Sequence, residues 1–295
     1  MKAEPDSMSG AGALWPWFLR VVDARRAKRV AFEAADAPLA WDAMHGFALR
    51  GAWDADSALL FDLFKPLLDA SRRTGGWVIG QLGQSLDGCI ATHDGDANFV
   101  NGPGMLVHLH RLRALSDAVI VGAATAAIDD PQLTTRRVEG AHPVRVLLDP
   151  GLRLSPGLRA FRDRQAPTLL ACDASRAAEA ARRVGPEQVL AVDGLLDEDG
   201  SLRLDRLRTA LLRRGLRVLF VEGGGITVSN FIAQGLLDRL HLSVAPVIVG
   251  SGKPGLQLPR GGAMRDCRRP PARVFRIGAD VLWDLDLRSS AGGVG

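Results

Sequence analysis

Short runs of large apolar residues alternate along this chain with stretches in which apolar residues recur every three or four positions. The runs lie at 77–82, 118–122, 144–148, 168–172, 189–192 and 217–221. Such runs suit strands buried on both faces of a parallel sheet. Between them, Leu106, Leu109, His110 and Arg113 predict a helix over 103–116, and similar spacing predicts helices over 175–184 and 205–214. Alternating strands and helices imply an α/β fold, a mostly parallel central sheet with helices on both faces. The last runs, 240–249 and 272–287, follow each other directly, so an antiparallel C-terminal edge is expected.

The first part of the chain has another texture. Residues 1–75 hold Trp15, Trp17, Trp41 and Trp53 and no convincing strand, which predicts a small, mainly helical N-terminal extension before a main domain at 76–290. Its clearest element runs over 56–72, where Leu60, Leu63, Phe64 and Leu67 share a helical face. Asp56 or Ser57 is placed to cap it, and Pro66 to kink it. Packing against the main domain is the default role for these aromatics, and a partner surface the alternative.

The most informative stretch is Val218-Leu-Phe-Val-Glu222-Gly-Gly-Gly225, followed by Ile226, Phe231, Ile232 and Leu236 at near-helical spacing. A strand, a glycine turn and a helix N-terminus make an anion site, because free N–H groups and the helix dipole point at the turn. The same residues make a bare strand-to-helix turn equally well. Glu222, at a strand's carboxyl end, is placed to accept bonds from ring N–H donors or to cap the helix. Ser85-Leu-Asp-Gly88 reads as a turn, with Asp87 bonding backbone and Gly88 at positive φ. Asp129-Asp130-Pro131 suits a turn cap better than a metal site. Arg113, Arg136 and Arg137 suit phosphate gripping or surface ion pairing.

Composition narrows the classes. An apolar share of 47% supports a folded core, and a formal charge of +4 with dispersed arginines argues against nucleic acid. Cys89, Cys172 and Cys267 form no disulfide framework or metal pair, and no signal peptide or membrane span is evident, so a cytoplasmic location is expected. Hydrolase elbow, P-loop, zinc and Gly-x-Gly-x-x-Gly signatures are absent.

Taken in order, Ser85–Gly88, Leu112–Ala114, Asp117–Gly122, Thr125 with 129–136, Pro143–Asp149, 221–224 and 245–250 resemble the riboflavin-biosynthesis reductase domain over roughly 77–288. The resemblance implies a dihydrofolate-reductase-like fold, a homodimer, and NADPH-dependent reduction of the ribosyl group of 5-amino-6-(5-phosphoribosylamino)uracil to ribityl, by hydride transfer to the sugar C1′. It implies cofactor contacts at Gly83, Phe99, Thr125, Asp129, Gly224, Gly225, Ile226, Thr227, Val228, Ser229 and Asn230. Arg113, Leu133 and Arg136 would hold the substrate with Glu222, the arginines at its phosphate and Glu222 at its pyrimidine. Asp130 is the candidate proton donor, and no metal is implied. Four positions depart from the family pattern: Gln81 for lysine, Ala97 for serine, Phe99 for tryptophan and Pro150 for serine. Gln81 and Ala97 leave open a reductase of another pyrimidine or pterin-like substrate, whereas intact Thr125, Asp129, Arg113, Arg136 and Glu222 argue against the further alternative, a non-catalytic nucleotide-binding protein.

Overall fold

Alternation of burial along the strands explains the sheet. In the computed structural model, which describes residues 12–28, 37–72, 75–97, 100–259 and 262–288, Phe220 packs into one core while its neighbours Leu219 and Val221 pack into another. Val119 and Val121 join Phe220, whereas Ala118 and Ile120 join Leu219. Successive side chains point to opposite faces, so a strand apolar on both faces must be covered on both.

The extension comprises α1 (Trp15–Arg26), β1 (Leu39–Asp42), β2 (Gly46–Leu49) and α2 (Ala55–Ala70). The main domain opens with β3 (Trp77–Gln84), β4 (Cys89–Ala91), α3 (Pro103–Leu115), β5 (Ala118–Gly122) and α4 (Ala123–Asp129). Next come β6 (Val144–Leu148), α5 (Arg159–Arg162), β7 (Thr168–Asp173), α6 (Ala177–Val184), β8 (Val189–Val192) and α7 (Leu204–Arg213). The chain then returns through β9 (Val218–Glu222), α8 (Gly225–Ala233), β10 (Arg239–Val244), β11 (Lys253–Pro254), β12 (Ala272–Ile277) and β13 (Asp280–Asp286).

The nine-stranded sheet has the order β12-β13-β10-β3-β9-β5-β6-β7-β8. Every pair from β10 to β8 is parallel, and β13 and β12 form the antiparallel edge. Helices α1 to α6 contribute to one core and α7 and α8 to the other, as the sequence pattern implied. Because β9 inserts between β3 and β5, the carboxyl ends of three neighbouring strands carry Gly83, Glu222 and Gly122. Such ends are where open α/β sheets bind ligands.

The extension differs from expectation in two places. It contains a hairpin, β1 with β2, although no strand was evident in its sequence. Strands this short carry little periodic signal. The hairpin is fixed instead by an edge-on Trp41–Phe47 pair, with ring centroids 5.0 Å apart, and by Asp42 accepting the amides of Met44 and His45. Helix α2 begins earlier than expected, capped by Asp54, whose carboxylate accepts Ser57 N–H at 2.8 Å, and it continues through Pro66. At the other end of the chain β10 stops at Val244 instead of running to 249. Pro246 cannot donate to a ladder, and Asp87 captures the amides of Val249 and Gly250.

The extension packs against the sheet. Phe18, Leu60, Leu63, Phe64 and Leu67 are fully buried and share one continuous core with Ile79, Val119 and Phe220 of the sheet.

Candidate active site

The glycine turn after β9 adopts backbone that side chains resist. Gly223 and Gly224 have φ of 65° and 68°, in the left-handed region. A Cβ at Gly224 would stand 2.6 Å from Thr125 Oγ1 and 3.4 Å from Thr227 Oγ1, and a Cβ at Gly122 would stand 2.3 Å from Thr227 Oγ1. Two hydroxyls therefore converge on two glycines, from the start of α4 and the first turn of α8. No side chain caps α8 at Gly224, and the first amides of a helix have no intrahelical acceptors. This cradle of N–H and O–H donors fits a phosphate group.

Beside it, Arg113 and Glu222 pair directly. Arg113 Nε donates to Glu222 Oε2 at 2.7 Å, and Nη2 donates to Oε1 in the second arm of a fork. Arg113 is buried and spends Nη1 on the Thr134 carbonyl at 2.9 Å. The resemblance implies that the two residues hold opposite ends of one ligand, whereas here they bond each other. Nothing in their spacing, 109 positions apart, signals the pair.

Arg136 and Arg137 lie exposed on the following loop, with the Arg136 Nη1 bonded to Thr134 Oγ1 at 2.8 Å. Desolvation, then Arg113, lowers the pKa of Arg136, and Glu222 opposes the shift. His110 feels the same positive cluster: burial first, then Arg113, Arg136 and Arg137, pushes it down to about 4. Its neutral Nδ1 accepts the Arg136 amide at 2.9 Å. The cluster is electropositive and partly open to solvent, suited to an anion.

The remaining predicted positions separate into lining and supporting groups. Asp129 is exposed at the end of α4, and partial desolvation raises its pKa. Asp130 takes a left-handed conformation at the C-cap of α4, with its carboxylate bonded to the amide and Nε of Arg159 at 2.8 and 3.1 Å. Leu133 is wholly buried at φ 56°, leaving only its backbone to meet a ligand. On α8, Ile226 is exposed and Asn230 partly so, Val228 is core, and Ser229 Oγ accepts the Gln257 amide at 2.8 Å. Phe99 lies outside the described residues.

Around Gly83 the structure adds two residues that the sequence reading missed. A Cβ there would fall 1.8 Å from Asn101 Oδ1 and 3.2 Å from Ser243 Oγ. Asn101 is tethered through Nδ2 to buried Asp280, which also accepts the Gly102 amide at 2.8 Å. Pairing of β3 with β10 sets Ser243 opposite Gly83, and Asp280 of β13 holds Asn101 there, so no local motif marks them.

A separate cleft of about 740 Å³ opens at the opposite, amino ends of β6 and β7, beside Arg145, Phe161 and Arg214. Its buried cation, Arg145, is already satisfied by Asp163, Thr168 and two backbone carbonyls. The chemistry-bearing groups are at the carboxyl ends. Among the described residues no cluster of histidine, cysteine and carboxylates could hold a metal, and no helix is long and apolar enough to cross a membrane.

Fold and site thus define a mostly parallel α/β protein with a glycine turn flanked by two threonine hydroxyls beside a largely buried arginine–glutamate pair. Residues 76–282 match the RibD C-terminal domain, and the chain belongs to that family. The chain is similar to the 2,5-diamino-6-ribosylamino-4(3H)-pyrimidinone 5′-phosphate reductase of Methanothermobacter thermautotrophicus, with 34% identity over 72% of this chain and 98% of that protein. The Archaeoglobus fulgidus protein of the same name is 32% identical over 59% of this chain and 82% of its own. In three dimensions it resembles Acinetobacter baumannii RibD, with a TM-score of 0.63 and 24% identity over 78% of this chain and 63% of that one. The likeness to the yeast (Saccharomyces) riboflavin biosynthesis reductase Rib7 has a TM-score of 0.61 at 17% identity, over 77% of this chain and 98% of that one. Both likenesses concern the fold.

Proposed function

We propose that this chain is an NADPH-dependent reductase acting on a phosphoribosylated aminopyrimidine of riboflavin biosynthesis, converting its ribosyl group to ribityl. The observation that carries this reading is the cradle of Thr125, Thr227, Gly122 and Gly224 set beside the Arg113–Glu222 pair and Arg136. One half suits a dinucleotide phosphate and the other a phosphorylated heterocycle.

NADPH, when bound, supplies the hydride that reduces the sugar C1′. The chain's own residues align and shield the reactants, and no side chain need act as nucleophile. The Thr125 and Thr227 hydroxyls and the opening amides of α8 would hold cofactor phosphate, with Gly83 admitting close approach of the ring end. Arg136, whose side chain is exposed, would grip the substrate phosphate. Arg113 would fix Glu222, leaving the outer lone pairs of the carboxylate for pyrimidine N–H donors. Asp130, held by Arg159, would donate a proton only by leaving that pair. A homodimer in the cytoplasm completes the reading.

The archaeal relatives are named for the diaminopyrimidinone phosphate, which favours a second substrate beside the aminouracil. The reading is tested by following NADPH oxidation at its near-ultraviolet absorbance with each compound in turn. Turnover of either supports it, and the faster one names the substrate. Tight NADPH binding without turnover of either compound would leave a same-fold reductase of another heterocycle. Absence of NADPH binding would leave the non-catalytic alternative.

A further inference from the structure

The family match begins at residue 76, yet the segment before it reaches the substrate side of the site. Helix α1 lies across the end of α3. Arg25 Nη2 donates to the Leu115 carbonyl at 2.8 Å, and Arg26 Nη2 donates to those of Ala114 and Ser116 at 3.2 and 2.6 Å. Cationic donors on the last carbonyls of a helix satisfy them and complement its dipole.

Helix α1 also holds the loop that carries Arg136. Trp15, buried against the edges of Phe18 and Phe64, donates its indole N–H to the Glu139 carbonyl at 2.9 Å. Gly140 passes so close that a Cβ there would stand 2.7 Å from Ala114 Cβ and 3.1 Å from Leu19 Cδ2. The loop closes on itself through Thr135 N–H to His142 Nδ1 at 3.2 Å, and its near end is held by His110 accepting the Arg136 amide at 2.9 Å. Arg136 and Arg137 therefore sit between a tether to α3 and a tether to α1. Removing the indole donor would leave a carbonyl unpaired and free one end of the loop.

We infer that the N-terminal segment is part of the substrate site, with Trp15 as a positioning residue. It fixes loop 134–142 and so sets where Arg136 and Arg137 stand relative to the Arg113–Glu222 pair. This inference rests on the reading that Arg136 meets the substrate phosphate.

The test uses the full chain, with Trp15→Phe to keep the aromatic packing and delete the donor, and Arg136→Ala as reference. For Trp15→Phe the expected result is a KM for the phosphorylated substrate raised roughly fivefold, the worth of one hydrogen bond. Its kcat, and its KM for the dephosphorylated substrate, stay unchanged. If Arg136→Ala raises that KM and Trp15→Phe leaves it unchanged, the inference fails while the phosphate reading stands. If Arg136→Ala leaves it unchanged, the phosphate reading fails and takes the inference with it. Hydrogen exchange on the unaltered protein with ribose 5-phosphate gives a second readout, independent of how the variant folds. Slowed exchange in both 134–142 and α1 supports the coupling, and slowing confined to 134–142 overturns it.

Discussion

Arg113 on α3 grips both carboxylate oxygens of Glu222 at the end of β9, with side-chain exposures of only 5% and 13%. A fork of this kind, taken out of water, holds its geometry tightly but leaves a costly orphan when either partner is removed. The pair thus ties the helix before β5 to the strand that leads into the glycine turn. It also orients whatever lone pairs of Glu222 remain for a ligand.

Glu222→Gln keeps the shape and one acceptor but cancels the charge opposite Arg113. Stability should fall by about 1–3 kcal/mol, the range for a buried bond to a charged group left half made. KM for the pyrimidine substrate should rise at least roughly tenfold, equivalent to about 1.4 kcal/mol, while NADPH affinity changes little. Urea unfolding and fluorescence titration of NADPH measure the two effects. Equal losses of substrate and cofactor affinity would show that Glu222 serves both.

The glycine turn offers a sharper contrast between adjacent glycines. Gly223 and Gly224 share nearly the same positive φ, so alanine at either incurs strain on the order of 1–2 kcal/mol. Only at Gly224 does the added methyl also meet a wall, 2.6 Å from Thr125 Oγ1, whereas at Gly223 nothing lies within 4 Å. Gly224→Ala should therefore weaken NADPH binding by roughly tenfold or more, a difference worth about 1.4 kcal/mol, beyond any effect of Gly223→Ala. Calorimetric titration of both variants decides it. Equal affinities would mean that the close approach of Gly224 to Thr125 does not shape the phosphate site.

Much of the architecture was legible because it rests on local pattern. Apolar runs became doubly covered parallel strands, and the Asp87 turn formed as Ser85-Leu-Asp-Gly88 suggested, with Gly88 at φ 82°. The hairpin at 39–49 was not legible, because its strands are short and its register depends on one aromatic pair. The site divides in the same way. Gly224 and Thr227 lie three positions apart in one local motif and announce a turn and a helix start. The Arg113–Glu222 fork and the enclosure of Gly83 by Asn101 and Ser243 arise from distant segments, where spacing carries no information.

The anchorage of the extension gives a stability prediction. Arg25 Nη2 stands 2.9 Å from Asp117 Oδ1, and both side chains are almost fully buried. The other oxygen of Asp117 accepts the amides of Arg217 and Val218, which start β9. Arg25→Ala would leave Asp117 with those two amides and with Arg26 Nε at 3.5 Å, so the cost should be about 1–3 kcal/mol, the range for a lost bond to a charged group. Arg25→Lys, keeping the charge but losing the fork, should cost less. Chemical denaturation of the two variants should rank them in that order, and a neutral Arg25→Ala would mean that Arg26 and the backbone amides together satisfy Asp117.

A last prediction concerns acid. His110 is held at about 4 in the folded protein against an ordinary value of 6.5, chiefly by burial and then by Arg113, Arg136 and Arg137. Below pH 6.5 the unfolded chain binds a proton at this position that the folded chain refuses. Its contribution to stability is therefore complete above pH 6.5, declines as pH falls, and is gone below about pH 4. The full loss is on the order of 1–3 kcal/mol. His110→Gln keeps an acceptor for the Arg136 amide and removes the titration. Subtracting its pH–stability curve from that of the parent should leave a single decline across this window. A flat difference would mean that His110 already carries its proton in the folded state, and that the loop bearing Arg136 is held by something other than the neutral imidazole.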